Sequence, residues 1–190
     1  MPSTRDRLLS TANQLFYDHG VTATGVDAVV KAAGLTKPTL YAHFPSKTAL
    51  LAAALELRHD QRRVELTEWL EQHEVSERPV AVFDWLGAWY AHDGARGCCF
   101  LNAAAELPEA NDPARLVVQA EKRWLEELLT GLCRDAGLAD PERLGSQLLL
   151  LVDGIGGRIL VHGTSAAEGV VEDARQVAAV LTRTSVRPTS

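Results

Sequence analysis

The stretch TGVDAVVKAAGLTKPTLYAHFPSKTALL, Thr24 to Leu51, contains two short helical patterns with a glycine between them. Before the glycine, apolar residues recur at the i, i+3, i+4 and i+7 positions of one helical face: Val26, Val29, Val30 and Ala33. Thr24 is expected to cap this helix, with Asp27 at the third position of a capping box. Gly34 is expected to end it, because glycine readily adopts the left-handed conformation found at helix ends.

The helix after this turn begins around a proline. The Thr36 hydroxyl can accept from the backbone N–H three residues on, and Pro38 falls in the first turn, where a backbone N–H has no intrahelical partner. Leu40 and Phe44, at i and i+4, are expected to face inward, and Ser46 is expected to cap the next helix. The two helices and their tight turn predict a helix-turn-helix motif.

The rest of the chain is also helical in pattern. Helices are predicted at residues 4–19, 47–73, 79–92, 98–107, 113–135, 141–162 and 166–184, and the final SVRPTS is expected to fray. No segment shows sustained period-two alternation, so the predicted fold class is all-α. We expect an N-terminal three-helix domain, residues 1–48, that contains the helix-turn-helix, and a C-terminal helical domain, residues 49–190.

Charge is distributed unevenly along the 190 residues. The chain has a net charge of -6, yet residues 1–50 carry five Lys or Arg against three Asp or Glu, and the remainder carries fourteen against twenty-two. Binding to DNA requires only a local basic face, so the acidic total does not exclude a nucleic-acid partner.

The first turn of the helix after Gly34 collects hydrogen-bond donors. Lys37 can reach guanine O6 and N7, Pro38 can contact a thymine methyl, and the Thr39 hydroxyl can meet a base edge or a phosphate. Three more donors, Tyr41, His43 and Lys47, are placed for phosphate oxygens. The alternative is that Tyr41 and His43 belong to an ordinary solvated face.

Residues 5–52 resemble the N-terminal domain of the TetR family of bacterial transcriptional regulators, with the glycine turn, the LYAHF block and the following SK in register. The resemblance implies a two-fold homodimer of nine or ten helices per subunit, a palindromic double-stranded DNA operator, and a small-molecule effector that releases a repressor from DNA. The expected DNA-binding residues are Thr24, Lys37, Pro38, Thr39, Tyr41, His43 and Lys47. One departure is that Gly25 or Asp27 stands where the family often has a basic or hydroxyl residue, which puts base reading by the second helix in question.

The C-terminal part is rich in aromatic residues. In the family the effector pocket lies among the middle helices, and the expected ligand-binding residues here are Phe83, Trp85, Trp89, Phe100, Asn102 and Trp124, with His92 as another polar group. The alternative is that these rings form an ordinary core, which would leave a DNA-binding protein without an effector. The resemblance also implies that the last two long helices form the dimer interface, with Gly154 and Gly157 at a helix crossing.

Other function classes lack their motifs. The sequence has no nucleophile elbow, zinc-protease motif or P-loop, so we expect neither an enzyme nor a cofactor, and no histidines on one helix have metal-ligand spacing. Three cysteines are expected to be small buried hydrophobes, with a redox-sensing Cys98–Cys99 pair as the alternative. Apolar runs such as 148–152 are too short for a membrane helix, so a cytoplasmic protein without a membrane partner is expected.

Overall fold

The computed structural model describes residues 3–94 and 96–185, and within them the chain is all-α, with nine α-helices and no strand. The helices are α1 (Thr4–His19), α2 (Val26–Ala33), α3 (Lys37–His43), α4 (Lys47–Glu71), α5 (Arg78–Asp93), α6 (Cys99–Glu106), α7 (Pro113–Asp135), α8 (Pro141–His162) and α9 (Ala167–Thr184). A single 3-10 turn, Thr164–Ala166, precedes α9. Apart from Ser185, the tail that was expected to fray lies outside the described residues.

Capping side chains fix the predicted starts of α3 and α4. Thr36 accepts a hydrogen bond from the Thr39 backbone N–H at 3.4 Å, and Ser46 accepts from the Ala49 N–H at 3.0 Å, so α3 and α4 begin where the sequence predicts. Gly34 ends α2 in the left-handed conformation, with φ of 63°. Local side-chain chemistry therefore determines these boundaries.

The predicted cap of α2 is wrong. The N-cap residue is Gly25, which has no side chain to offer, and Asp27 is the second helical residue rather than the third. Thr24 instead donates its hydroxyl to the Leu15 carbonyl at 3.1 Å and is buried. A buried hydroxyl must find a hydrogen-bond partner, and the end of α1 supplies one that lies nine residues away in sequence.

The chain forms two compact units. The first comprises residues 1–62 and 99–121, and the second comprises 63–98 and 122–190. This division follows the packing of the chain. The predicted boundary between residues 48 and 49 divides a DNA-binding part from an effector-binding part, and it stays a prediction.

In the first unit, α1 packs against α2, and α2 against α3. Its core includes Leu8 and Ala12 of α1, Val29 of α2 and Leu40 of α3, none of which is solvent-exposed. A fully buried leucine contributes about 1.5–3 kcal/mol to stability, so this small core can hold the helix-turn-helix in one geometry.

In the second unit, α9 packs against both α5 and α8. Its core cluster includes Phe83, Leu86, Leu129, Leu148, Ile155 and Ala178. Gly145 lets α8 approach α7 closely, since a Cβ there would lie 2.2 Å from the Thr130 hydroxyl oxygen.

Helix α8 is apolar on more than its core-facing side. By length and composition it is the one helix among the described residues that could cross a membrane, with a mean hydropathy of 1.5, although a core helix of a soluble protein passes the same test. Leu150 and Val161 are 71% and 74% exposed, and Gly154 and Gly157 have open space where a Cβ would stand. These four residues follow i, i+4, i+7 and i+11 spacing, so they form one uncovered stripe, which we call the α8 stripe.

Candidate nucleic-acid interface

Helix α3 is packed against the core on one side and exposed on the other. Leu40 is fully buried, and Phe44, which follows the helix, is 3% exposed. Lys37, Tyr41 and His43, on either side of Leu40 in the sequence, are exposed. The anchoring leaves one face of α3 available to a partner.

Most of the predicted DNA-binding side chains are exposed. Lys37, Pro38, Tyr41 and His43 are exposed, Thr39 is half-buried, and Lys47 is half-buried at the first position of α4. The Tyr41 side chain is 48% exposed, which leaves its hydroxyl available to a partner. The Thr39 hydroxyl lies 2.8 Å from the Thr36 hydroxyl, and this contact fixes its direction within the first turn.

Lys37 already has an anionic neighbour. Its Nζ lies 2.8 Å from Asp27 Oδ1 of α2, with 52% and 78% of the two side chains exposed. The hydrogen bond that Lys37 donates to the Asp27 carboxylate, reinforced by the negative charge of Asp27, raises the pKa of Lys37 above its usual value. An ion pair this exposed is weak and is screened by salt. A guanine edge or a phosphate can therefore replace Asp27 as the partner of the Lys37 ammonium group.

Thr24 differs from the other predicted contacts. Its side chain is buried and its hydroxyl is donated within the protein, so this hydroxyl cannot reach DNA without leaving Leu15. The hydroxyl of Thr24 is therefore used within the first unit, whereas the other six predicted residues are exposed or half-buried.

Glu106 is a functional candidate that the sequence did not reveal. Its carboxylate, at the last position of α6, accepts hydrogen bonds from the backbone N–H of Val21 at 3.0 Å and of Thr22 at 2.7 Å. These groups lie in the turn between α1 and α2, about 85 residues away in the chain. No local signal marks such a contact, since the carboxylate bonds to main-chain groups that every residue has.

The approach of Glu106 requires a glycine. Gly20 has φ of 90°, which side-chain-bearing residues rarely adopt, and a Cβ there would lie 2.8 Å from Glu106 Oε1. On the other side, the Arg115 guanidinium of α7 donates to the carbonyls of Ala104 and Leu107 at the end of α6. The end of α6 is therefore held by α7 and in turn holds the α1–α2 turn, all within the first unit.

The second unit contains an open groove between α4 and α5, of about 380 Å³. Its lining residues, which define the tryptophan groove, are Glu65, Glu68, Trp69, Gln72, Trp85, Ala88, Trp89 and His92. Trp85 and Trp89 are stacked, with ring centroids 6.1 Å apart and an angle of 22° between the planes. Two of the predicted ligand-binding residues thus line one groove.

The other predicted ligand-binding residues lie elsewhere. Phe83 lines a different cavity, of about 670 Å³, formed by residues of α5 and α9. Trp124 lies under the guanidinium of Arg63, 6.0 Å from the ring centroid. Phe100 and Asn102 belong to the first unit, whereas the other four belong to the second. A single pocket that contains all six stays a prediction.

The three cysteines are buried, and no disulfide joins them. Burial raises the pKa of the Cys133 thiol to about 11. Cys98 Sγ lies 3.8 Å from Lys122 Nζ, which also makes an ion pair with Asp153 at 2.6 Å. Across residues 3–94 and 96–185, no group of three or more His, Cys, Asp or Glu side chains is arranged to hold a metal ion.

Sequence comparison assigns the first unit's helix-turn-helix to a known class. Residues 8–54 match the sequence model of the family described as bacterial regulatory proteins, tetR family. The chain is 29% identical over 130 residues to the HTH-type transcriptional repressor NemR of Escherichia coli, a match that covers 67% of this chain and 65% of the repressor. The match thus spans just under two thirds of that relative's length.

Two further comparisons cover different parts of the chain. Over 55 residues it is 46% identical to the HTH-type transcriptional activator FasR of Mycolicibacterium smegmatis, covering 29% of this chain and 25% of the activator. The crystal structure of a TetR-family transcriptional regulator from Streptomyces coelicolor is 29% identical and superposes with a TM-score of 0.89, over 97% of this chain and 96% of that one. The similarity to a solved structure therefore extends over the C-terminal helices as well.

Proposed function

The chain belongs to the TetR family of bacterial transcriptional regulators, and we propose that it is a repressor that binds a palindromic operator as a homodimer and is released by a small-molecule effector. Its relatives and its fold are those of transcriptional regulators, not of enzymes. The named relatives include both a repressor and an activator, so the sign of regulation belongs to the proposal. We place its action in the cytoplasm, where the DNA is.

The observation that carries the proposal is the exposed face of α3. A recognition helix lies in the major groove with its N-terminal residues at base edges. Lys37 and Pro38 occupy that first turn here, and Leu40 anchors the helix from behind. The arrangement supports base reading by the first turn and phosphate binding by Tyr41 and His43.

The α8 stripe supports a homodimer. Its exposed apolar side chains would be covered if a second copy packed against them about a two-fold axis. Helix α9 carries two further exposed apolar side chains, Val177 and Val180, which are 46% and 50% exposed. Open space at Gly154 and Gly157 would let the two copies approach closely. We propose this covering, rather than a membrane, as the reason for the apolar character of α8.

Release by an effector is proposed to act through α4. This helix is continuous from Lys47, beside α3, to Glu71, in the second unit. A ligand that shifts its C-terminal part would change the direction of its N-terminal part. Both half-sites must be bound at once, so a misfit would lose the affinity that linked binding provides. The coupling free energy would be about 1–3 kcal/mol.

The test of DNA binding is a salt titration on palindromic and random DNA. The operator is first selected from a random-sequence library with the purified chain. Affinity for the selected palindrome should exceed that for random DNA by at least about 10³-fold, and both should fall linearly with the logarithm of salt concentration. Equal affinities for the two DNAs at every salt concentration would refute sequence-specific repression.

A further inference from the structure

We propose that the tryptophan groove is an effector site for a hydrophobic aromatic cation; this deepens the proposed function and rests on it, since an effector requires a DNA-binding regulator to act on. The groove lies wholly within the second unit, and its residues come from α4 and α5 only.

The groove arises from two matching helical faces. Residues 65, 68, 69 and 72 of α4 and residues 85, 88, 89 and 92 of α5 both follow i, i+3, i+4 and i+7 spacing. Each set therefore occupies one side of its helix, and the two sides meet along the groove. A volume of about 380 Å³ lies within the range of small-molecule sites, roughly 300–1,000 Å³.

The aromatic surface of the groove is held in place before any ligand arrives. The indole N–H of Trp69 donates to the Ala81 carbonyl at 3.0 Å, and the stacked pair of Trp85 and Trp89 constrains both rings. Tyr90 meets the Trp89 ring edge-on, with centroids 5.2 Å apart. Fixed indole faces lose little entropy on binding, and indole is the ring that attracts cations most strongly.

The charge of the groove selects a cation. Glu65 and Glu68 are exposed on the α4 side, and none of the described residues that line the groove is a lysine or an arginine. The chain beyond residue 50 carries twenty-two acidic against fourteen basic residues, so the surrounding field also attracts cations and repels anions. Indole faces beside two carboxylates fit a ligand that is hydrophobic and positively charged.

The test uses two probes of the same shape and opposite charge, the tetraphenylphosphonium cation and the tetraphenylborate anion. Three of the four tryptophans line the groove, so indole fluorescence of the full chain reports occupancy. The cation should change the fluorescence saturably, and the anion should bind at least about 10-fold more weakly because the carboxylates repel it.

Variants assign the binding to the groove. The double variant Glu65→Gln, Glu68→Gln should lower affinity for the cation by about 5-fold or more, and Trp89→Leu by a similar factor. Glu71→Gln is the matched control, because it removes one carboxylate from α4 outside the groove lining and should leave the affinity unchanged. The Glu variants alter only exposed side chains, so they remain informative if Trp89→Leu folds poorly.

Operator DNA separates this proposal from the one it rests on. The cation should weaken operator binding by the same factor by which operator weakens cation binding. Equal binding of anion and cation, an unaffected double variant, or an operator affinity that the cation leaves unchanged would each overturn the effector site while leaving the proposed DNA binding intact. Failure of the cation-free chain to bind operator would overturn the proposed function itself.

Discussion

Asp27 places a negative charge beside the lysine that is proposed to read bases. The ion pair between them joins α2 to the first turn of α3, and its exposure lets DNA displace the carboxylate. Lys37 is therefore proposed to exchange one partner for another, the Asp27 carboxylate in the free protein for a base edge in the complex. Lys47, at the start of α4, is proposed to contact only phosphate.

Lys37 and Lys47 should behave differently on substitution. Lys37→Ala should cost about 1–3 kcal/mol of operator binding and relax the preference at one base position, because a base contact carries sequence information. Lys47→Ala should weaken all sequences alike and reduce the slope of the salt dependence by about one unit. Binding titrations on operator and random DNA at several salt concentrations measure both effects. Equal weakening on the two DNAs by Lys37→Ala would contradict its assignment.

Glu106 should be a positioning residue for the helix-turn-helix. Glu106→Gln replaces one acceptor oxygen with an amide that faces a backbone N–H, which should cost about 1–3 kcal/mol of stability. Hydrogen exchange at the Val21 and Thr22 amides should accelerate, and operator affinity should fall as α1 and α2 lose their fixed relation to α6. Glu109→Gln, at an exposed position just after α6, serves as the control. Unchanged exchange at both amides would show that the contact does not hold the turn.

Among the helices, α8 combines a packed and an uncovered glycine at adjacent positions. A Cβ at Gly156 would lie 2.7 Å from the Cβ of Cys98, so this glycine serves packing inside the second unit. Gly157, one residue on, has open space, and it belongs to the α8 stripe. Packing within the chain thus explains one of the two glycines, and the proposed dimer explains the other.

Gly157→Arg should produce a folded monomer. Arginine favours a helix over glycine by up to about 1 kcal/mol, so helicity should be retained, while a bulky charge at the crossing should prevent dimerisation. Loss of linked binding should lower operator affinity by about 100-fold or more. Sedimentation measures the loss of the dimer, and circular dichroism measures the retained helicity. Gly131→Arg on α7, where a Cβ also has open space, is the control that should remain dimeric. A native chain that sediments as a monomer at micromolar concentration would refute the proposed interface.

For the whole dimer, the proposed function predicts the spacing between the two half-sites of the operator. Two recognition helices related by a two-fold axis should contact half-sites about 34–36 Å apart, one turn of the double helix. Inserting about half a turn of base pairs between the half-sites should therefore reduce affinity to that of a single half-site. Gel-shift titration of spacer variants measures this, and the Gly157→Arg monomer should be insensitive to the spacer. Indifference of the native protein to spacing would contradict binding as a rigid two-fold dimer.

Much of the fold was predictable from short-range chemistry. The starts of α3, α4 and α7 follow the capping residues Thr36, Ser46 and Asp112, α8 begins at Pro141 as expected, and α1 spans the predicted 4–19. Helix caps and apolar spacing involve residues within about one or two turns, so they can be read without knowing the tertiary structure. The first turn of α3, which carries Lys37, follows in the same way, since Thr36 and Pro38 mark it by local chemistry.

Tertiary structure decided which distant groups meet. Thr24 was assigned to a cap because its type and position suit one, yet the α1 carbonyl of Leu15 satisfies its buried hydroxyl instead. The sequence does not show which groups the Glu106 carboxylate bonds to, because nearly every residue has a backbone N–H. It also does not show that the groove faces of α4 and α5 meet, because indole rings occur at many positions. Spacing along a helix determines which side chains share a face, whereas the packing of helices far apart in the chain determines what that face meets. That packing depends on the whole core at once, so only the folded chain brings Glu106 to the α1–α2 turn and the tryptophans to one groove.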